Sequence, residues 1–459
     1  GRLADRSRNS LRLYALVELG IAAAAVLAHL ALNLLDPAYP AIYRMVSGSA
    51  VLTGLVRFLL AFVLVMAPTV MMGATLPILT RLLSTTRGEA GRSLSTLYAV
   101  NTFGAVAGVL LTGFFLIGRF GIHMPVYLAA AGNLAVGLVA LAVASWRSVG
   151  AMAGHPAPRT DPERRLGPQH LTPGMYRLVL FGLGISGLTS FAYEIYWTRS
   201  LVFVLGNSTY ALTTMLSAFL TGIALGGWLI RYVMAWAVDR AIVFGCVQVL
   251  LGILAASALP LLFSISDSQS LSHYVLSTSS SALPLLLTGY GVAFLVMLGP
   301  AVLIGTTFPL VGSLGIRELA ETGASVGRVY AVNTFGNVLG ALLPGLVLIE
   351  WLGIQKGIVV MALLNIVLGF VILSARLRPF LKRGLGVARI VGHARHPRAP
   401  VPQHEVPCRL EARVEIDGIG HRVARVRVAA GPGERRLGRH AGRAIRRRGR
   451  RGIVGRVVA

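Results

Sequence analysis

Charge is scarce in this chain. Asp, Glu, Lys and Arg supply 13% of its 459 residues, about half the share of a typical soluble domain. That deficit excludes an ordinary water-soluble globular fold. Acidic residues are scarcest, 17 against 43 basic ones, so no acidic solvating segment exists. Only two cysteines occur, Cys246 and Cys408. They can form neither a disulfide framework nor a paired-cysteine metal motif. Short alternating apolar segments, the mark of a membrane β-barrel, are missing as well. No cleavable leader is visible, and the start at Gly1, inside a polar loop, reads as the start of a fragment.

Apolar residues are plentiful: 55% of the chain is hydrophobic, with a mean hydropathy of +0.71. Crossing ~30 Å of hydrocarbon takes about 20 apolar residues in a helix. Ten stretches meet that length approximately: 12–35, 51–72, 97–118, 124–145, 178–196, 208–230, 241–263, 285–311, 328–350 and 357–375. The expected fold is all-α, a polytopic helical membrane protein with about ten transmembrane helices.

The formal net charge of +26 suggests nucleic acid until its placement is considered. Half of the excess lies in residues 386–459, where eighteen Arg face five acidic residues. Elsewhere the bases alternate from loop to loop. Arg2, Arg6, Arg8 and Arg12 precede the first stretch; Arg81, Arg87 and Arg92 follow the second; Arg147, Arg159, Arg164, Arg165 and Arg177 follow the fourth. Arg231 and Arg240 follow the sixth, and Arg317 and Arg328 the eighth, whereas 264–284 has no Lys or Arg. By the positive-inside rule both ends of this chain are cytoplasmic. The expected partner is the lipid bilayer, with no specific nucleic acid.

Residues 98–104 read YAVNTFG, and 330–336 read YAVNTFG again. Shifting the chain by 232 lays residues 67–141 on 299–373 without a gap, with 30 of 75 positions identical. Pro68, Gly73, Thr75 and Pro77 meet Pro300, Gly305, Thr307 and Pro309; Gly108, Gly113, Gly121 and Asn133 meet Gly340, Gly345, Gly353 and Asn365. Chance similarity between apolar helices does not preserve Gly, Pro and Asn together, so this is an internal duplication. The second copy begins two helices earlier, near 178, and the opening GRLADRSRNSLRLYALVELG best matches the region around Gly227–Leu250, pairing Asp5-Arg6 with Asp239-Arg240. The expectation is an incomplete 6+6 parallel repeat. Residues 1–146 form a first copy lacking its first two helices, 147–177 a cytoplasmic linker, 178–376 a six-helix second copy, and 377–459 a basic tail. An even helix count gives both copies the same orientation, with the repeat axis along the membrane normal.

Each residue of the heptapeptide has a packing role to weigh against a binding one. Tyr98 and Tyr330 suit the cytoplasmic interface. Asn101 and Asn333, one turn deeper, need hydrogen-bond partners between helices, and Gly104/Gly108 and Gly336/Gly340 clear strips for close helix approach. A packing seam and a solute site both fit. Pro77 and Pro309 read as helix ends or kinks.

Ionisable residues within the apolar stretches are sharper candidates. Glu194, in YEIYWTR near the outer end of its stretch, is either an interfacial ion pair with Arg199, flanked by Tyr193, Tyr196 and Trp197, or a cation-binding carboxylate. Glu18, matched by Gln248, reads as a polar contact; His29 and Glu350 read as interfacial. GLGISG at 182–187 has the dinucleotide spacing but no preceding strand, so its glycines are expected to face a helix. The tail's His393, His396, His404 and Cys408 lack regular metal-ligand spacing. No catalytic residue, metal site or cofactor is expected.

The runs GRLADRSRNSLRLYALVELG, MGATLPILTRLL, GRSLSTLYAVNTFGAVAGVLLTGFFL and SFAYEIYWTRSLVFVLGNSTYALTTMLSAFLTGIALGGWL resemble the membrane part of bacterial membrane-bound spermidine synthase-like proteins. The resemblance spans about residues 1–385. It implies a duplicated, transporter-like bundle in the bacterial cytoplasmic membrane, fused to a synthase-like domain. GRLADR also resembles the cytoplasmic loop motif of major facilitator transporters. Decarboxylated S-adenosylmethionine would belong to the synthase-like domain. Residues 386–459 hold no Phe, Tyr, Trp or Lys and offer little for a core, so that domain is not expected there. The tail is expected to be disordered, or translated out of frame; an intact reading frame through the last codon would refute the latter. Three readings follow: the membrane-embedded part of a spermidine synthase-like fusion, a secondary transporter of a small cationic solute such as a polyamine, or a scaffold for a cytoplasmic partner.

Overall fold

The structure, a computed structural model, describes residues 1–7, 9–84, 87–150, 171–236, 238–266, 282–316 and 321–393. Most of the 147–177 linker and the tail residues His396, His404 and Cys408 lie outside them. The first compact unit is Gly1–Gly386 and the second Val387–Ala459.

Among the described residues every regular element is helical. α1 is Arg2–Arg6, α2 Ser10–Leu35, α3 Tyr39–Val46, α4 Ala50–Leu83 and α5 Arg87–Leu111. A π turn, Thr112–Leu116, joins α5 to α6, Ile117–Phe120; α7 is His123–Gly150. Then come α8, Pro173–Leu205; α9, Thr209–Val233; α10, Arg240–Ser266; and α11, Ala282–Gly315. α12, Thr322–Leu343, runs through a second π turn, Pro344–Leu348, into α13, Ile349–His393. Among the described residues nine helical runs are long and apolar enough to cross a membrane. The last, Thr322–Leu377, contains two of the ten expected stretches, because Gly353 breaks it at φ 70°.

Short polar side chains start these helices by taking the free N–H groups of the first turn. Asn9, Ser49, Thr172 and Ser208 accept from Arg12, Leu52, Met175 and Ala211 at 3.1, 3.3, 3.3 and 3.1 Å. Asp239 does the same for Ala241 and Ile242 at 2.9 and 3.3 Å. Asn9 and Asp239 each cap a helix nine residues ahead of Glu18 and Gln248 respectively. Asp5, the residue matched to Asp239 on sequence, also accepts from two N–H groups at a helix start and pairs with an arginine, but at the start of α12. Asp239 pairs with Arg376 at 2.6 Å.

Several helices outrun their apolar stretches. α4 extends to Leu83 with Pro68 and Pro77 inside it, and α11 carries Pro300 and Pro309 internally. These prolines lie inside their helices rather than at the ends, since α4 runs on to Leu83 and α11 to Gly315. Helix α13 also continues beyond the expected boundary at 376, to His393.

The bulk of the core lies in α8–α13. One cluster gathers Tyr193, Tyr196 and Trp197 of α8 with Met215 and Phe219 of α9, Leu251 of α10 and Met297 of α11. A second joins Val179 and Leu183 with Phe244, Phe308, Val329 and Ile372, plus Leu94 from α5. In the first half α2 packs on α4 and α7, and α5 packs on α9. The most apolar part of Leu52–Leu83 buries nothing at all.

The two π turns are 232 residues apart, and so are Gly121 (φ 74°) and Gly353 (φ 70°). Both glycines stop a helix in the left-handed region that a Cβ disfavours. At one end of the bundle Asp5 accepts from the first N–H groups of α12, Gly323 at 2.9 Å and Ala324 at 2.6 Å, and pairs with Arg81 at 3.2 Å. The GRLADR segment thus ties the first half to a helix N-terminus in the second, where a carboxylate is favoured. We expect Asp5→Asn to cost about 2 kcal/mol, lowering the apparent melting midpoint in detergent by about 4 °C. A midpoint matching the exposed-site control Arg2→Gln would refute that role.

Candidate functional site

Helix α8 carries Ser186, Thr189, Ser190, Tyr193, Glu194 and Trp197, spaced by three and four, so its polar atoms form one stripe. The inner part of the stripe closes on α10 and α13. Gln248 donates through Nε2 to Ser186 Oγ at 2.9 Å. Thr189 Oγ1 donates to Asn365 Oδ1 at 2.9 Å, and Asn365 Nδ2 donates to the Tyr193 hydroxyl at 3.0 Å. Ser186, Thr189, Tyr193, Gln248 and Asn365 are fully buried.

The Ser190 edge of this stripe faces a cavity of about 60 Å³, room for about two waters. Its polar lining is Ser190, Thr307, Asn333 and Asn337, and its rings are Tyr98, Phe191, Phe219 and Phe308. Five helices contribute: α5, α8, α9, α11 and α12. With its nitrogen turned inward, the Asn337 amide donates to the Asn333 carbonyl at 3.1 Å and the Gly187 carbonyl at 3.2 Å. Tyr98 and Tyr330 both pack on Phe308, with centroids 5.1 and 5.7 Å apart. Both tyrosines are half-buried where α5 and α12 pack on α11.

Glu194 lies one turn beyond Ser190 on the same face. It is half-buried, and among the described residues it makes no hydrogen bond or ion pair. The expected pair with Arg199 does not form; the five-residue spacing turns Arg199 away, and it is exposed. Nor are Tyr193, Tyr196 and Trp197 an interfacial belt. All three are fully buried, Tyr193 stacked on Trp197 at 5.1 Å. Since α8 runs on to Leu205, Glu194 stands about 16 Å from its end, deeper than the apolar stretch alone indicates.

Of the other sequence candidates, Asn333 lines the cavity and Gln248 enters the buried network. Glu18 is buried on α2, apart from both. Asn101 is exposed and does not join Asn333; Tyr98 is the first-half residue that reaches the cavity. Gly336 and Gly340 lie directly against the backbone of α8 at Gly184 and Leu188, whereas nothing lies within 4 Å of a Cβ placed at Gly104 or Gly108. In GLGISG, Gly182 faces Phe244, Leu368 and Ile372, and Gly187 faces Asn333 and Asn337. Ser190, Thr307 and Asn337 escaped sequence reasoning. The Ser/Thr spacing along GISGLTSFAYE was the legible signal for the first.

Among the described residues, fold and site together define an all-helical bundle with nine runs able to cross a membrane and a partly open polar–aromatic cavity to which α5, α8, α9, α11 and α12 contribute. Compared with protein-family models and with curated proteins, the chain matches none. Among the described residues no cluster of three metal-ligating side chains occurs.

Proposed function

We propose that this chain is a multi-pass membrane bundle, built from two like-oriented six-helix copies with the first lacking its opening pair, that binds and moves a small organic cation. An apolar helix such as α4, with Phe58, Phe62, Val63 and Val65 exposed, cannot face water over such a length and calls for lipid. The matched π turns and positive-φ glycines support the duplication. The distribution of Arg supports both ends of the described bundle being cytoplasmic, and the motif resemblance supports a bacterial cytoplasmic membrane.

The observation that carries the solute reading is Glu194. A carboxylate set deep in an apolar helix without a partner marks a solute or ion path. One turn back along α8, the cavity at Ser190 offers four aromatic rings, which favour cations, and amide and hydroxyl oxygens to orient them. As it stands the cavity is too small for a polyamine, so binding requires the halves to part, as in transporters built from repeats. The quoted motif resemblance favours a second, compatible reading: the membrane-embedded part of a spermidine synthase-like protein, with catalysis residing outside this chain. Aminopropyl transfer by the chain itself would refute that part.

Proteoliposomes loaded with labelled putrescine or spermidine test the solute reading. Glu194→Gln is expected to lower amine flux at least about tenfold, a loss of about 1.4 kcal/mol, while the protein still reconstitutes. Equal flux in both proteins would remove Glu194 from the path. No flux in either leaves the scaffold reading in its place.

A further inference from the structure

The same seven residues sit in two environments. On α12 the strip is occupied: Gly336 lies against the Gly184 carbonyl and Gly340 against the Leu188 carbonyl. A Cβ at Gly187 would come within 2.6 Å of Asn333 O and of the Asn337 side-chain amide. Backbone rests on backbone there, which only small residues permit. On α5 the counterparts Asn101, Gly104, Ala105 and Gly108 form one stripe at spacings of three and four, and all four are exposed. Asn101 makes no hydrogen bond among the described residues.

The opposite side of α5 is already taken. Ser95 Oγ donates to Gly227 O at 2.5 Å, Tyr98 lies against Gly227, and Gly113 meets Thr213, all on α9. On α12 the counterpart of Gly113 is Gly345, and nothing lies within 4 Å of a Cβ there. So of these two neighbours, an α8 and an α9, α5 and α12 each have one and lack the other. α12 has an α8 on its glycine strip and no α9-like neighbour at Gly345. α5 has an α9 at Gly113 and no α8-like neighbour on its strip. The two uncovered faces correspond one to one with α8 and α9, the helices without a first-copy counterpart.

We infer that the Asn101/Gly104/Ala105/Gly108 face of α5 is the seat for one apolar helix of α8's type, crossing with small residues where α8 has Gly184 and Gly187. The inference rests on the duplication read above and not on the solute site. A lone glycine stripe would mean little, but its twin is filled in the same molecule. The uncovered Asn101 amide adds a separate demand, because a side-chain amide in hydrocarbon seeks a partner. On α12 the corresponding Asn333 is covered by Gly187 of α8.

The probe is a labelled synthetic peptide of residues 173–206, titrated against the full chain in lipid vesicles. A photo-crosslinking phenylalanine analogue replaces Phe103, which borders the strip. Saturable binding with cross-linking to the peptide's 184–188 region is expected. G104L/G108L should weaken it at least about tenfold, with an unchanged melting midpoint because no neighbour is displaced. Binding equal in chain and variant overturns the seat, and so does chain-to-chain cross-linking through Phe103, which would make α5 a self-association face. Glycine-dependent binding in another register keeps the seat and sinks the duplication. Glycine-independent binding sinks the seat and leaves the duplication standing on its paired π turns.

Discussion

Gly340→Leu is expected to destroy the folded bundle, and Gly108→Leu, its repeat counterpart, to leave it intact. At Gly340 an added Cβ would fall on the Leu188 carbonyl, with Leu188 C and Cα at 2.8 and 2.9 Å. No rotamer relieves a collision with backbone. The two helices must separate along a seam that runs from Gly184–Gly336 through Leu188–Gly340, and with it the Asn337 contact to Gly187. Overpacking usually costs about 1–3 kcal/mol; a backbone clash at the centre of a long helix pair belongs at or above the top of that range. Gly108 meets no atom within 4 Å, so its substitution costs nothing in packing, and leucine is a better helix former than glycine by about 0.8 kcal/mol. Size-exclusion profile and apparent melting midpoint in detergent check both. Loss of the monodisperse peak for Gly340→Leu and a midpoint within about 2 °C of the parent for Gly108→Leu are expected. A parent-like Gly340→Leu would mean that α8 and α12 do not touch there.

That contrast shows what one-dimensional reasoning reached and where it stopped. Helix existence was legible, because each of the ten apolar stretches has the length and uniformity that only a helix can use in hydrocarbon. Helix ends were less so. Polar turns such as TRLL after Pro77 and TRSLVFVL after Trp197 extend α4 and α8 beyond their apolar cores, and hydropathy is blind to backbone bonds that simply continue. The heptapeptide identified paired helices, but identical residues do not have identical neighbours. Asn101 and Asn333 part company because coverage is a property of the surroundings, and only the second has an α8. Glu194 was visible as an ionisable residue in an apolar run. Its lack of a partner was not, since a five-residue spacing to Arg199 looks close in sequence and is turned away on a helix. The cavity residues come from five helices, so no local window contains them.

Asn365 anchors the second large effect. Its side chain accepts from Thr189 and donates to Tyr193, at 2.9 and 3.0 Å, with no part of the residue exposed. Replacing it with leucine keeps the volume nearly constant and deletes both bonds. Thr189 retains a bond to the Ser186 carbonyl at 3.1 Å, so its hydroxyl is not stranded. The Tyr193 hydroxyl has no other hydrogen bond among the described residues and is left buried and unpaired. Stranding one buried hydroxyl costs about 1–3 kcal/mol. Loss of the Thr189 bond adds about 0.6 kcal/mol, the usual worth of such bonds within a bilayer. The sum, about 1.6–3.6 kcal/mol, is expected to lower the apparent midpoint by about 3–7 °C. Asn133→Leu in the first copy supplies the control: Asn133 is half-buried and makes no hydrogen bond among the described residues, so its replacement should be neutral or slightly stabilising. Adding Tyr193→Phe to Asn365→Leu removes the stranded hydroxyl and should restore more than half of the lost midpoint. If the double variant melts no higher than Asn365→Leu alone, the cost lies in packing around α13 and not in the hydrogen-bond chain that links it to α8.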